Sequence, residues 1–184
     1  MFSDYLKIGF LHVIPFGFDH ILFILSLFFF NSRLKTAIMQ CSLFTIAHSL
    51  TLAMVTLGYI KFNSGIIESM IALSIFFVSM ENTGSSRLGW WRLGMVFVFG
   101  LVHGMGFATA LRESGIPQND FFSALIGFNL GVESAQVAII LCCYFFISKW
   151  LSRKEWYQAK LVNPISFGIS CIALFWAVER FLTY

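Results

Sequence analysis

Long apolar stretches alternate with short polar breaks along this chain. Residues 8–32 carry one charged side chain, Asp19; residues 36–60 carry none; 62–80 only Glu68; 93–111 none; 121–148 only Glu133; and 161–178 none. Each stretch approaches or exceeds the roughly 18 residues with which an apolar helix crosses hydrocarbon. Runs such as Leu22–Phe30 lack the period-2 alternation of a membrane barrel. The pattern therefore predicts an all-α polytopic membrane bundle of about six transmembrane helices, forming a single transmembrane domain over residues 1–184.

The first stretch is broken. Pro15 cannot continue the hydrogen-bond ladder of the preceding turn, and Gly17 follows it. A short helix near residues 3–13 is expected, then a spanning helix from about residue 16 to 31. The run is too long for a signal-peptide core and has no small-residue cleavage site, so it is read as part of the bundle. Further breaks at Asn31–Lys35, Tyr59–Ser64, Asn82–Arg92, Arg112–Asp120 and Lys149–Lys160 hold Gly, Pro, Ser, Asn or charge.

Composition narrows the class. Hydrophobic residues make up 58% and charged ones 11%, against about 25% charge in a soluble domain. A soluble domain, a disordered chain and a nucleic-acid binder are excluded. The net charge of +3 is mild, and its distribution bears on orientation. With the N-terminus outside, inner loops hold Arg33, Lys35, Arg87, Arg92, Lys149, Arg153, Lys154 and Lys160, and the outer side holds Lys7, Lys61, Arg112 and Arg180. Positive charge collects on the cytoplasmic side. The expected location is the inner (cytoplasmic) membrane, with both termini outside. Cys41, Cys142, Cys143 and Cys171 all lie in apolar runs without a CxxC pair and read as small buried hydrophobes. The 23 phenylalanines read as lipid-facing bulk.

Ionisable residues inside the spans stand out, because a charge at the bilayer centre costs at least about 2.5–3.5 kcal/mol. They are Asp19, His20, His48, Glu68, Glu81, His103 and Glu133, with Asn129 and Gln136 nearby and His12 just before the break. None of the four histidines lies in a loop between spans, and imidazole is the commonest metal ligand. At about 1.5 Å per residue, His48, His103 and Asn129 lie about 13–15 Å from the outer ends of their helices, and Asp19, His20 and Glu68 within about 8 Å. The shared depth predicts that Asp19, His20, His48 and His103 meet in the outer half of the membrane, with Glu68, Asn129 and Glu133 lining the same cavity. Asp19 and His20 are adjacent and cannot both point at one centre from a regular helix. Asn129, Glu133 and Gln136 form one stripe at i, i+4, i+7, and Asn129 and Gln136 also read as interhelix hydrogen-bonding glue. Glu81 reads as a helix-end carboxylate near Arg87. Gly9-Phe-Leu-His12 echoes Gly100-Leu-Val-His103, as an inverted repeat of three plus three helices would.

These motifs resemble the HupE/UreJ family of small membrane proteins almost from end to end. The opening Gly9-x-x-His12-x4-Gly17-x-Asp19-His20 is followed by Phe44-Thr45-x-Ala47-His48-Ser49-x-Thr51-Leu52. Next come Glu68-x-x-Ile71-Ala72-x-Ser74-Ile75 with Glu81-Asn82, then Phe99-Gly100-Leu-Val-His103-Gly104-x-Gly106-Phe107-Ala108, and Phe128-Asn129-x-Gly131-Val132-Glu133. More histidine-rich opening motifs exist in the family; here Pro15 and Phe16 occupy part of that stretch. The resemblance implies a nickel/cobalt permease or accessory protein.

His with carboxylate suits nickel, cobalt or zinc. The expected ligand is thus a divalent transition metal, and the expected surroundings are the lipid bilayer, with a homo-oligomer or a membrane or periplasmic partner. Two rival readings stay open at this point. One is an intramembrane metal-dependent hydrolase resembling ceramidase-type enzymes, with Ser49, Ser74 and Asp19 as its catalytic candidates. The other is a non-catalytic protein that hands metal to a partner.

Overall fold

The computed structural model describes residues 2–84, 88–113 and 120–183, with the side chains of 108–113 outside the description. Among the described residues the chain is all helical: α1 (Phe2–Val13), α2 (Phe18–Phe29), α3 (Leu34–Thr56), α4 (Ser64–Glu81), α5 (Trp90–Glu113), α6 (Phe121–Cys143), α7 (Lys149–Leu151) and α8 (Asn163–Thr183). Single π-helical turns at Tyr144–Ser148 and Gln158–Val162 carry α6 into α7 and lead into α8. The helical stretches Leu34–Thr56, Ser64–Glu81, Phe121–Leu151 and Gln158–Thr183 are long and apolar enough to cross a membrane, and α1 with α2, bent by 72°, meets the same measure as a pair, the form of a broken span or a re-entrant segment. The sequence assigns another span to residues 93–111, and α5, with 24 residues, is long enough to provide it. The protein is a multi-pass membrane bundle.

The bend falls where the backbone chemistry dictates, at Pro15 and Gly17. A side chain at Gly17 would collide with the His12 carbonyl, so only glycine lets the chain fold back so tightly. At the start of α4, the Asn63 side chain accepts from the backbone N–H groups of Gly65 and Ile66, satisfying two donors the helix leaves open.

Three helix pairs build the bundle: α1 lies along α6, α3 along α5, and α4 along α8. The first two pairs close on glycines. Added Cβ atoms at Gly9 and Gly131 would strike the Phe128 and Leu6 carbonyls, and at Gly104 the His48 carbonyl. At Gly100 one would come 2.7 Å from the Phe44 carbonyl. Missing side chains let backbones touch, the usual source of helix affinity in lipid. The echo noted in the sequence has a counterpart here. Gly9 and Gly100 each press on the carbonyl of a phenylalanine, Phe128 and Phe44, and the histidine three residues on faces that same ring, at 5.6 Å for His12 and 5.0 Å for His103 between ring centroids.

Helix α2 fills the centre, against α3, α4, α6 and α8, and buries Phe23, Ile24, Leu27, Phe28 and Phe29. The phenylalanines are therefore divided. Phe122, Phe146 and Phe181 point outward, whereas these central rings, Phe44 and Phe128 build the core, because interior volume between large helices needs large side chains. The cysteines divide too: Cys41 and Cys143 are buried, while Cys142 and Cys171 face outward, where an apolar thiol meets lipid as readily as protein. Trp90 and Trp91 open α5 and Trp150 belongs to α7, all exposed, as amphipathic rings are at a membrane interface.

Near those helix ends Arg92 runs into the bundle. Its five N–H groups donate to Gln40, Val78 O, Glu81, Ser26 O and Asn82, and the guanidinium sits 4.1 Å from the Phe30 ring centroid. Arg92 is 1% exposed. It is thus an interior residue and not a loop charge. It is also the partner of Glu81, at 2.7 Å; Arg87, the neighbour expected from the sequence, lies outside the described residues.

Candidate metal centre

The histidines converge from four helices. His12 ends α1, His20 opens α2 just beyond the bend, and His48 and His103 come from the touching pair α3 and α5. His20 is the hub, with ring centroids 4.7 Å from His12, 5.9 Å from His48 and 5.4 Å from His103. Phenylalanines wall the group: Phe44 lies 5.9 Å from His48, Phe23 5.0 Å from His103, and Phe107 3.9 Å from His12. His20, His48 and His103 are buried and His12 half-buried.

A cavity of about 270 Å³ opens beside the cluster, bordered by His12, Asp19, His20, Glu68, His103 and Arg180. Asp19 and His20 both border it, although adjacent, because they stand in the first turn of α2 where the chain has just turned. His48 lies behind this lining, fully buried against His20.

Polar atoms in this region lack protein partners. His12 Nε2, Asp19 Oδ1, His20 Nε2, both ring nitrogens of His48 and His103 Nδ1 are all buried without a hydrogen bond. A buried, unsatisfied polar group costs about 1–3 kcal/mol. Such a concentration in one place is what a ligand-binding site shows and a packing core avoids.

One ring is held by a neighbour. Ser74 donates to the Ile71 carbonyl at 2.6 Å, and its oxygen lies 2.9 Å from His103 Nε2. A hydroxyl has one proton. With that proton on Ile71, the oxygen accepts from His103 Nε2–H, and Nδ1 keeps its lone pair, buried and without a protein partner. Ser74 so fixes the orientation of the His103 ring.

Asn129 and Glu133 stand elsewhere. They line a lateral groove between α3 and α6 with Ser42, Thr45 and Ser49, not the histidine cavity. Ser49 donates to Asn129 at 2.6 Å, Ser42 to Glu133 at 2.9 Å, and Thr45 to the Gln136 carbonyl oxygen at 3.1 Å. The i, i+4, i+7 stripe of α6 is thus a seam to α3, and Ser49 belongs to it. The shared depth was visible in the sequence, but depth does not tell which side of a helix faces which neighbour.

Arg180, counted from the sequence only as an outer-side charge, borders the cavity. Its Nη2 donates to Asp19 Oδ2 at 3.1 Å and its Nη1 to the Glu68 carbonyl at 3.2 Å. Among the described residues, no three His, Cys, Asp or Glu side chains are drawn together at coordinating distance. The rings are neighbours whose donor atoms have not closed on one point.

No curated protein and no solved structure matches the chain. The family described as HupE / UreJ protein matches residues 1–180, essentially the whole length, and the chain belongs to that family of membrane proteins.

Proposed function

We propose that the chain is a permease for a borderline divalent transition metal, with nickel or cobalt favoured by the family and zinc allowed by the chemistry, and that the ion binds at the histidine cluster. The observation that carries this reading is the set of buried, unpartnered histidine nitrogens brought from α1, α2 and α5 to one cavity edge, with those of His48 on α3 buried behind them. Neutral imidazole suits these ions. Asp19 and Glu68 supply negative charge at the same cavity, needed to offset a divalent cation where the dielectric is low. Metal–nitrogen bonds are about 2.0–2.1 Å long, so His20 and its neighbours must turn to close on an ion. With both termini outside, as the charge distribution favours, the cavity faces the outer side and the ion is carried inward.

The test joins equilibrium binding of nickel(II), cobalt(II) and zinc(II) by the purified protein to flux in proteoliposomes holding a fluorescent chelator. Exchangeable binding with flux, both lost in His48→Ala and His103→Ala, is expected. Tightly held zinc without flux, accompanied by lipid or peptide cleavage, would overturn the reading in favour of a hydrolase.

A further inference from the structure

Arg180 stands at the mouth of a cavity proposed to take cations, which is an odd place for a permanent positive charge. Its position is not incidental. It is tied to the Asp19 carboxylate and to the Glu68 carbonyl, and its guanidinium carbon lies 5.4 Å from the Trp176 ring centroid. Arg cannot shed its proton in a protein. The ion pair is only partly sealed, with Arg180 22% and Asp19 27% exposed. It engages one carboxylate oxygen; the other, Oδ1, is buried and has no protein partner. Asp19, which borders the cavity with His20, is therefore bound to a tethered cation through one oxygen and holds the other, buried, without a partner.

We infer that Arg180 is a built-in competitor for Asp19: a divalent ion gains this carboxylate only as the guanidinium swings away, so Arg180 sets both the affinity and the release rate of the site. The inference rests on the metal reading above. It gives the arginine a reason to sit where bare electrostatics would exclude it. Without the competitor, a carboxylate sharing its cavity with three histidines would hold a divalent ion too long to pass it on. The ion pair near the surface is weak enough to open. Arg180 also stays within reach of Asp19, ready to reoccupy it when the ion leaves.

The experiment titrates nickel(II), and separately zinc(II), into the full chain in nanodiscs for the wild type, Arg180→Gln, Asp19→Asn and the double variant. Arg180→Gln is expected to bind about tenfold more tightly, or about 1.4 kcal/mol, with slower dissociation in a chelator chase. Most of that gain should vanish in the Asp19→Asn background, because the competition is for that carboxylate. Equal or weaker binding by Arg180→Gln would overturn the inference, as would the same tightening without Asp19. Should Arg180→Gln fail to fold, Arg180→Lys carries the test. It keeps the charge but cannot span Asp19 and the Glu68 carbonyl together, and should tighten binding by about threefold, again only with Asp19 present. A silent wild type beside a binding Arg180→Gln would support the inference, whereas silence in both would overturn it together with the metal reading.

Discussion

Replacing Arg92 by methionine should be among the most damaging single changes to the bundle, although the residue touches no part of the histidine cavity. The guanidinium serves five acceptors on three helices or their ends: Ser26 O on α2, Gln40 on α3, Val78 O and Glu81 on α4, and Asn82 just beyond α4, while Arg92 itself belongs to α5. Methionine approximates the volume and satisfies none of them. Ser26 O keeps a bond from Asn82 Nδ2 at 2.9 Å, so its loss is partial. Glu81 is 29% exposed and water can solvate it. The cost then falls on the buried Gln40 side chain and on Asn82. Breaking a buried, hydrogen-bonded charge cluster by removing one member costs about 3–5 kcal/mol, and that is the expected loss for Arg92→Met. Glu81→Gln leaves four of the five contacts but strips the buried guanidinium of its counter-charge, so about 1–3 kcal/mol, less than for Arg92→Met, is expected. Arg92→Lys, with three donors in place of five, should fall between the two. Reversible unfolding in mixed micelles, titrated with a denaturing detergent, measures the series. Arg92→Met within about 1 kcal/mol of wild type would refute the reasoning, as would Glu81→Gln matching Arg92→Met. The second result would mean that the ion pair, and not the neutral acceptors, holds the network.

Ser74→Ala should lower metal affinity by about 10–100-fold, the usual effect of losing a group that orients a ligand; binding isotherms check it, with an unchanged melting temperature excluding a folding effect. Gly104→Val should destabilise the bundle by about 1–3 kcal/mol, because any Cβ there meets the His48 carbonyl and Thr51 Oγ1. Gly168→Ala, with nothing within 4 Å of the new methyl, should be neutral or slightly stabilising by thermal melting. A cysteine placed in the Lys149–Lys160 connection should react with a membrane-impermeant reagent only after the cells are opened, and labelling of intact cells would reverse the proposed orientation.

The sequence made the backbone legible where local chemistry decides it. Pro15 and Gly17 marked the bend within the first span, and the apolar runs placed the long helices to within a few residues, because both effects act over one or two turns. His12, His20, His48 and His103 were visible as candidates because an ionisable side chain in an apolar run needs a partner or a purpose. What could not be read is direction. Arg92 and Arg180 stand at the ends of their apolar runs and looked like loop charges, yet long side chains carry both guanidiniums inward to acceptors on other helices. Asn129 and Glu133 shared depth with the histidines but face α3 across a groove. Ser49 and Ser74 looked equivalent, and only the packing of α4 beside His103 separates them. Each of these outcomes depends on which helices become neighbours, information that no single stretch of sequence contains.

The glycine crossings constrain how this bundle can move. Two helices in backbone contact have no layer of side chains between them to slide or repack, so α1 with α6 and α3 with α5 each travel as a unit. His12 rides on the first unit, His48 and His103 on the second, and His20 on α2 between them. The seam of α3 with α6, where Ser42, Thr45 and Ser49 donate to Glu133, Gln136 and Asn129, ties the two units together, so any motion that separates His12 from His48 and His103 must first break those bonds. On the permease reading proposed above, grip on an ion and the opening of a way past it would share one coordinate, the making and breaking of that seam.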